Sequence, residues 1–266
     1  MTRESSTQPS ASFDASAPDY EDLLEPNRLA ARRLVAAIPD GDYRSALDVG
    51  CGTGFAAEAL IERFGVREIT GADPSEPMLE RCRARLAAHP GVSATLMAAT
   101  VDETRVPEAA FDVTVSAMAF HWMPDKAAAV AAMARATRPG GAVALLAAGR
   151  GADEELLQIL RGIDEVPAAW IDVFDLVQRD VDELTSYLQA AGLEPIDVWE
   201  ERRRPVRPVD RYLARIGAVA GHLSAGLDEG LLERVNARVA EELTRAAGPD
   251  GVRFTMVKVF GVARRP

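Results

Sequence analysis

Residues 47–55 read Leu-Asp-Val-Gly-Cys-Gly-Thr-Gly-Phe, and this stretch decides the fold. An apolar run ends in an acid, three glycines follow within five residues, and residues 55–64 then carry apolar side chains at helical spacing. This order predicts a strand, a loop and a helix. Glycines let the backbone turn sharply and approach a ligand closely, and the free N–H groups in the first turn of the helix attract anions. The loop is therefore predicted to hold a small charged molecule.

A second motif, Gly71-Ala72-Asp73-Pro74-Ser75, lies about one βα unit further along the chain. Together with Asp48-x-Gly50-x-Gly52-x-Gly54 it resembles the first two motifs of class I S-adenosylmethionine (SAM)-dependent methyltransferases. The resemblance extends through Ala148 and implies a Rossmann-like fold, SAM as methyl donor and S-adenosyl-L-homocysteine as product. Motif two and Phe120-His121-Trp122 look closest to the subgroup of trans-aconitate and malonyl-carrier-protein carboxyl methyltransferases.

The same loop also fits part of a nicotinamide-binding fingerprint, because Gly52-x-Gly54-x-x-Ala57 has its spacing. In a dinucleotide fold the first glycine follows the strand directly, whereas here Asp48 and Gly50 precede the match. Asp73 is followed by Pro-Ser and a helix, as in the methyltransferases. The context favours a SAM site over a nicotinamide site.

Strand-like runs alternate with helical segments as far as residue 150. Ser75 is the predicted N-cap of a helix, and Arg138-Pro-Gly-Gly141 predicts a turn before the fifth strand. This alternation predicts an α/β protein with a doubly wound, mostly parallel sheet, whose ligand binds at the carboxyl ends of the strands. The predicted strands are 45–49, 68–72, 94–98, 111–117 and 142–148.

We predict three parts in the chain. Residues 1–18 have the composition of a disordered tail, residues 19–150 form N-terminal helices and the SAM-binding Rossmann-like core, and residues 151–266 form a C-terminal part. The resemblance implies that two C-terminal segments pair as an antiparallel hairpin and complete a seven-stranded sheet, while helical insertions cap the active-site mouth. The predicted sheet segments are about 181–204 and 252–263. The predicted cap insertions are about 153–178 and 208–247.

The resemblance assigns groups of this chain to each part of SAM. Asp48 lies near the methionine ammonium, and Asp73 accepts both ribose hydroxyls, as its counterpart does in dinucleotide folds. Pro74 and Met78 flank the adenine. In the family an N-terminal helix covers the cofactor, which makes Tyr20 a candidate contact. An equal explanation is that Tyr20 is an amphipathic residue at the start of a helix, with no contact to the cofactor. The loop backbone reaches the methionine moiety at Gly50, Cys51, Gly52, Thr53 and Gly54.

The loop after the third strand departs from the family pattern. Ala99-Thr100-Val101-Asp102 stands where relatives usually have Gly-Asp-Ala-Glu. Thr100 therefore replaces the acid that commonly receives the adenine amine. Asp102 is the candidate substitute, and the Val101 amide is a further candidate contact for the ring.

The segment after the fourth strand, Ser116 to Trp122, borders the transferred methyl group by the resemblance, with Ser116 and Ala117 among the cofactor contacts. His121 is the histidine of this predicted active-site loop, and its pKa range suits a general base. A packing or orienting role is the alternative, because methyl transfer needs few catalytic groups. His222 is a weaker candidate. Aromatic residues that either line an acceptor pocket or belong to the core are Trp170, Phe174, Trp199 and Tyr212.

Composition narrows the set of partners. A net charge of -11 repels a nucleic-acid backbone, and the dense basic run that opposes it is Arg202-Arg203-Arg204. Cys51 and Cys82 do not make a disulfide framework, and Cys51 is predicted to be a small apolar residue and not a nucleophile. No metal-ligand set, signal-peptide core or membrane span is predicted. The expected location is cytoplasmic and the expected state is a monomer or homodimer.

These observations predict an enzyme, a SAM-dependent methyltransferase that acts on O, N or C of a small-molecule acceptor, in a bacterial natural-product pathway by analogy. Two alternatives stay open. One is methylation of a carrier-protein-bound acyl or carboxyl group, with the arginine run as the candidate contact for an acidic carrier. The other is a SAM-fold protein that catalyses a non-methylating reaction.

Overall fold

The computed structural model describes Asp14 and residues 23–100, 106–168, 171–172, 177–220 and 228–266. The chain divides into two compact units. The sheet unit comprises residues 24–148, 179–200 and 259–266. The helical unit comprises residues 1–23, 149–178 and 201–258.

Helices and strands alternate along most of the described chain. The helices are α1 (Glu25–Ala37), α2 (Phe55–Phe64), α3 (Glu76–Ala87), α4 (Lys126–Ala136), α5 (Glu154–Arg161), α6 (Val181–Ala190), α7 (Val209–Ala220) and α8 (Glu229–Ala246). The strands are β1 (Ser45–Val49), β2 (Glu68–Asp73), β3 (Ser93–Ala98), β4 (Phe111–Ala117), β5 (Thr137–Ala148), β6 (Glu194–Arg203), β7 (Val206–Arg207), β8 (Val252–Arg253) and β9 (Met256–Arg264).

The main sheet has seven strands in the order β3-β2-β1-β4-β5-β9-β6. The neighbouring pairs among β1 to β5 are parallel. From β1 the chain proceeds first to β2 and β3 on one side and then to β4 and β5 on the other, so the strand order reverses between β1 and β4. Ligands of open α/β sheets bind at the carboxyl ends of the strands at such a switch point. The predicted seven-stranded, mostly parallel Rossmann-like sheet is confirmed, and the two C-terminal strands neighbour each other at its edge.

Central strands of the sheet are buried on both faces, which explains why their sequences are continuous apolar runs instead of alternating ones. Leu47 of β1 and Leu145 of β5 belong to one apolar core that also contains Val259 of β9. Helices α4 and α6 cover this core through Met133 and Leu188. The core therefore fixes the carboxyl ends of β1, β4 and β5 relative to one another.

Strand β5 begins earlier than the sequence predicts, at Thr137 and not at residue 142. Phe111 pairs with Thr137 and Val113 with Ala142, so β5 advances further than β4 between these two pairings. The residues predicted as a turn, 138–141, form a bulge within the strand, and Gly140 takes φ +77° there. The turn prediction was wrong because pairing with β4 continues on both sides of the glycines.

The start of α3 agrees with its prediction. Ser75 has extended backbone angles, and its side chain accepts a hydrogen bond from the Met78 amide at 3.3 Å. Asp125 caps α4 in the same way, and Asp180 forms a capping box with Glu183 at the start of α6. Ser75 and Asp125 lie near the carboxyl ends of the strands because α3 follows β2 and α4 follows β4. Asp180 lies there too, because the amide of the preceding Arg179 donates to the Ala148 carbonyl at the end of β5.

The helical unit has its own apolar core, in which α5, α7 and α8 contribute Leu157, Tyr212 and Val239. The Tyr212 hydroxyl donates to Asp153 Oδ1 at 2.9 Å, and burial raises the pKa of Tyr212. Arg215 also pairs with Asp153. Strands β7 and β8 form a small antiparallel sheet in this unit.

Within the residues described above, no helix is both long enough and apolar enough to cross a membrane.

Candidate functional site

The glycine-rich loop between β1 and α2 has a backbone that glycine tolerates best. Gly50, Gly52 and Gly54 have φ of +68°, +51° and +87°. The Gly50 and Cys51 amides donate to the Ala72 carbonyl at 2.7 and 3.1 Å, which ties the loop to β2. A Cβ added at Gly52 would meet no atom of the described residues within 4 Å, so a ligand can approach this backbone closely. The loop is thus held to β2 at Gly50 and Cys51 and is open at Gly52.

Asp73, at the end of β2, is held by two backbone amides. Its Oδ2 accepts from the Gly52 amide and its Oδ1 from the Ser75 amide, both at 2.9 Å. Each carboxylate oxygen has more than one acceptor site, so both can still receive a ligand hydroxyl. The carboxylate links the loop to β2 and is oriented before any ligand binds.

Asp48, near the end of β1, is a buried carboxyl group with one unsatisfied oxygen. Its Oδ2 accepts from the Ala57 amide at 3.2 Å, while Oδ1 has no hydrogen-bond partner in the described part of the chain. Burial raises the pKa of Asp48 to about 7, and the nearby Asp73 charge adds to this while the Ala57 hydrogen bond opposes it. An unpaired buried acceptor is unfavourable, and a positively charged hydrogen-bond donor would satisfy it.

A buried ion pair supports the loop from the α2 side. Arg85 of α3 donates to both oxygens of Glu58 at 3.0 Å and to the Thr53 carbonyl at 2.8 Å. Arg28 of α1 also donates to Glu58 at 3.0 Å. Burial alone would raise the pKa of Glu58, but the two arginines outweigh it and hold this pKa below its usual value. Three helices are therefore joined under the glycine loop by one carboxylate.

The segment after β4 packs directly against the loop. Ser116 is fully buried, and its hydroxyl has no partner among the described residues. Met118 takes φ +60°, which is uncommon for a residue with a side chain. Ala119 then lies so close to Gly50 that a Cβ at Gly50 would fall 2.2 Å from the Ala119 Cβ. The geometry of the loop and that of the post-β4 segment therefore depend on each other.

His121 lies in a short 3-10 turn, Phe120–Trp122, and is 3% exposed. Its Nδ1 accepts a hydrogen bond from the Ala148 amide, at 3.4 Å, at the end of β5. In a neutral ring this leaves the proton on Nε2. The described contact therefore makes His121 a link between β4 and β5 and disfavours it as a proton acceptor at Nε2.

The remaining predicted site residues have different environments. Pro74 is exposed, Thr100 is exposed, and Met78 is buried in the core at 2% exposure. Cys51 is buried, and the pKa of its thiol is raised, so the thiol stays protonated. The larger cause is a hydrogen bond with the Cys82 thiol, and the second is burial. Predicted residues that lie outside the described part of the chain are Tyr20, Val101, Asp102, Trp170, Phe174 and His222.

Two of the aromatic residues proposed for an acceptor pocket have packing partners of their own. Trp199 stacks on Phe260 with ring centroids 4.6 Å apart, and Tyr212 is fully buried beside Phe254. Tyr212 is a core residue of the helical unit, whereas Trp199 is half-buried on β6. The arginine run is exposed, with Arg204 paired to Glu155 at 2.9 Å.

Two groups near the sheet edge were not found by the sequence analysis, the Glu58 ion pair and Lys126 at the start of α4. Glu58 and Arg85 are 27 residues apart, so no local pattern joins them. Lys126 carried a signal that went unused. The sequence has two lysines against 28 arginines, and Lys126 lies four positions after Trp122, the last residue of the predicted active-site segment.

A protein-family model described as a methyltransferase domain matches residues 46–141. A malonyl-[acyl-carrier protein] O-methyltransferase of Halorhodospira halophila is 31% identical over 266 residues, which cover 95% of this chain and 85% of the relative. A trans-aconitate 2-methyltransferase of an Azoarcus species is 32% identical over 151 residues, which cover 57% of this chain and 56% of the relative. The solved structure of the YcgJ protein of Bacillus subtilis matches with a TM-score of 0.59 at 15% identity and covers 90% of this chain and 99% of that one, a likeness of fold.

Proposed function

The chain belongs to the class I SAM-dependent methyltransferases, and we propose that it transfers the methyl group of SAM to a carboxylate oxygen of a small acidic acceptor. One observation carries this choice of acceptor. Malonyl groups and trans-aconitate are both carboxylic acids, and the relatives named for them match this chain over different lengths. The carboxyl group is the chemical feature that the two acceptors share.

For the cofactor, we propose that the two strand-end carboxylates bind opposite ends of SAM. The unsatisfied Oδ1 of Asp48 would accept from the SAM ammonium, which removes the cost of a buried unpaired acceptor. Asp73, already oriented by the Gly52 and Ser75 amides, would accept the ribose hydroxyls. The open backbone at Gly52 would adjoin the methionine moiety. Contacts predicted from the family for Pro74, Met78, Thr100, Ser116 and Ala117 stay predictions.

We expect SAM binding to release a proton from Asp48. The pKa of this carboxyl is about 7 in the free protein. The SAM ammonium favours the ionised form, so the pKa falls in the complex, and affinity rises as pH increases towards 7. Above about pH 8 the α-amino group of SAM itself loses its proton, and affinity falls again. Calorimetric titration at about pH 6, in two buffers of different ionisation enthalpy, measures the number of protons released.

The matched control for this prediction is Asp48→Asn, which keeps the shape but cannot ionise. It should bind SAM more weakly and release no proton at this site. Equal binding enthalpies in the two buffers for the unaltered protein would show that Asp48 is not coupled to the ammonium.

The proposed reaction needs no general base. One carboxylate oxygen attacks the methyl carbon, the O–C bond forms as the S–C bond breaks, and the sulfonium becomes a neutral thioether. The acceptor is already ionised near neutral pH, so no proton has to leave it. The protein then contributes alignment and exclusion of water.

We therefore assign His121 a positioning role between β4 and β5. His121→Asn, whose side-chain oxygen can replace Nδ1 as the acceptor of the Ala148 amide, should keep kcat within about threefold. His121→Ala should lose up to about tenfold through lost packing, with an unchanged pH profile between about pH 6 and 8. Loss of a general base would instead lower kcat by about 100- to 10,000-fold. Steady-state release of S-adenosyl-L-homocysteine measures kcat for each variant.

A second candidate function is methylation of an acid carried on a protein. The relative named for an acyl-carrier protein matches over 95% of this chain, well beyond the family domain at 46–141. The arginine run of the helical unit is the surface that an acidic carrier would contact. A cytoplasmic location and a monomeric or homodimeric state stay predictions from the sequence.

The test of the proposed function is an acceptor screen with SAM. Trans-aconitate, malonyl-CoA and a malonyl-loaded carrier protein are supplied separately, and mass spectrometry detects the methyl ester and S-adenosyl-L-homocysteine. We expect at least one acid to give both products in equal amounts, while its methyl ester with every carboxyl group esterified gives neither. Tight SAM binding, with no ester from any acid, would overturn the acid acceptor. Preferential binding of NAD would overturn the cofactor site.

A further inference from the structure

Lys126 is a half-buried ammonium group at the sheet edge where the acceptor is expected. It is the first residue of α4 and follows the Phe120–Trp122 turn within the sheet unit. Its Nζ donates to the Met123 carbonyl at 3.1 Å, the one hydrogen-bond acceptor found for it among the described residues. An ammonium has three N–H donors, so two remain for another partner.

A second cation, the Arg179 side chain, is near enough for its charge to lower the pKa of Lys126. The Arg179 backbone amide donates to the Ala148 carbonyl at 2.9 Å, next to the amide that binds His121. The Arg179 side chain is 10% exposed, and its Nη1 donates to Glu183 at 3.2 Å. Lys126 and Arg179 thus come from two helix starts that meet at the carboxyl ends of β4 and β5.

The surroundings do not favour a positive charge at Lys126. Burial lowers the pKa of Lys126, the Arg179 charge lowers it further, and Glu183 alone opposes them. Glu183 is already engaged, because its carboxylate also receives the Asp180 amide in the capping box of α6. A cation in the first turn of a helix also opposes the helix dipole. A bound anion would relieve each of these costs.

We propose that Lys126, with Arg179 beside it, binds the carboxylate of the methyl acceptor. The proposal rests on the proposed function and names the residues that recognise its substrate. One carboxylate oxygen accepts from Lys126 Nζ, and the other is left to attack the SAM methyl carbon. The ester group of the product carries no charge, so it loses the ion pair with Lys126 and is bound more weakly than the carboxylate.

A binding experiment tests this without requiring turnover. The chain has two lysines, so labelling lysine with 13C at Cε gives one signal from Lys126 and one from Lys258, which serves as an internal control. Malonyl-CoA or trans-aconitate is added to the protein saturated with S-adenosyl-L-homocysteine. The Lys126 signal should shift with at least one acid and stay unmoved with the corresponding methyl ester in which every carboxyl group is esterified. Absence of a shift with every acid overturns the proposal.

Variants separate recognition from folding. Lys126→Met removes the charge with similar volume and should raise the dissociation constant of the acid by about 10- to 100-fold, while SAM affinity is unchanged. Lys126→Arg should retain part of the binding. Arg138→Gln is the matched control, because it neutralises an exposed cation towards the opposite end of β5. An acid affinity within about threefold in Lys126→Met overturns the proposal.

The two failures are distinguishable. If acids shift the Lys126 signal and yet no ester forms, the carboxylate site stands and the proposed reaction is wrong. If an acid is methylated with the same KM in Lys126→Met and in the unaltered protein, the reaction stands and the recognition site is wrong.

Discussion

Gly50→Ala is expected to lower the melting temperature by roughly 5–15 °C and kcat/KM by about 100-fold. The new methyl group would lie 2.2 Å from the Ala119 Cβ, and Gly50 has φ +68°, which alanine adopts with strain. Overpacking and backbone strain together cost about 2–4 kcal/mol. Because Ala119 belongs to the segment that borders the methyl group by family resemblance, relief of the clash must displace either this segment or the loop. A displacement of about 1 Å at a reacting centre is enough for the expected loss of rate.

Gly65→Ala is the matched control for this prediction. Gly65 ends α2 with φ +67°, almost the same backbone angle, and no atom lies within 4 Å of its missing Cβ. It should lower the melting temperature by only about 2–4 °C and leave SAM affinity and kcat/KM unchanged. Thermal unfolding and steady-state kinetics compare the two variants. Similar kinetic losses in both would mean that the contact with Ala119 has no part in function.

Asp73→Ala is expected to raise the dissociation constant of SAM by about 100- to 10,000-fold. In the proposed complex its carboxylate accepts two ribose hydroxyls, and a hydrogen bond to a charged group contributes about 1.5–3 kcal/mol. The substitution also removes the acceptor of the Gly52 and Ser75 amides, so the loop loses one of its links to β2. Calorimetric titration with SAM and with S-adenosyl-L-homocysteine measures the effect.

The sheet provides a control of the same chemistry at its opposite edge. Asp112, at the start of β4, accepts from the backbone amides of Arg44 and Ser45 at 2.6 and 2.9 Å. Asp112→Ala should therefore reduce stability by a comparable amount and leave SAM affinity unchanged. If Asp73→Ala binds SAM as Asp112→Ala does, the ribose assignment is wrong.

The order of the first strands and helices could be predicted because each follows from local chemistry. β4 was predicted at its observed bounds, and Ser75 caps α3 as expected. Predictions failed where pairing partners overrode a local signal. The Arg138–Gly141 segment has the composition of a turn, yet it is a bulge because β4 pairs on both sides of it.

The glycine-rich loop could also be found in the sequence, since glycines and strand-end acids are close in the chain. The burial and the hydrogen-bond partners of those acids could not be found in the sequence. Asp48 and Asp73 are both aspartates at strand ends, but Asp73 receives two amides while Asp48 is buried with one unsatisfied oxygen. The raised pKa of Asp48 follows from its burial and its neighbours, which sequence spacing does not contain.

The sequence by itself determined the family, the cofactor and the strand at whose end each acid lies, because motif residues and apolar periodicity act over a few neighbouring positions. The tertiary structure decided which distant groups meet. It joined Arg85 to Glu58 under the loop, brought the charge of Arg179 near Lys126, and turned His121 towards the backbone of β5. Charge, burial and hydrogen bonding depend on these three-dimensional neighbours. The pKa of Asp48 and the proposed recognition of the acceptor therefore depend on them as well.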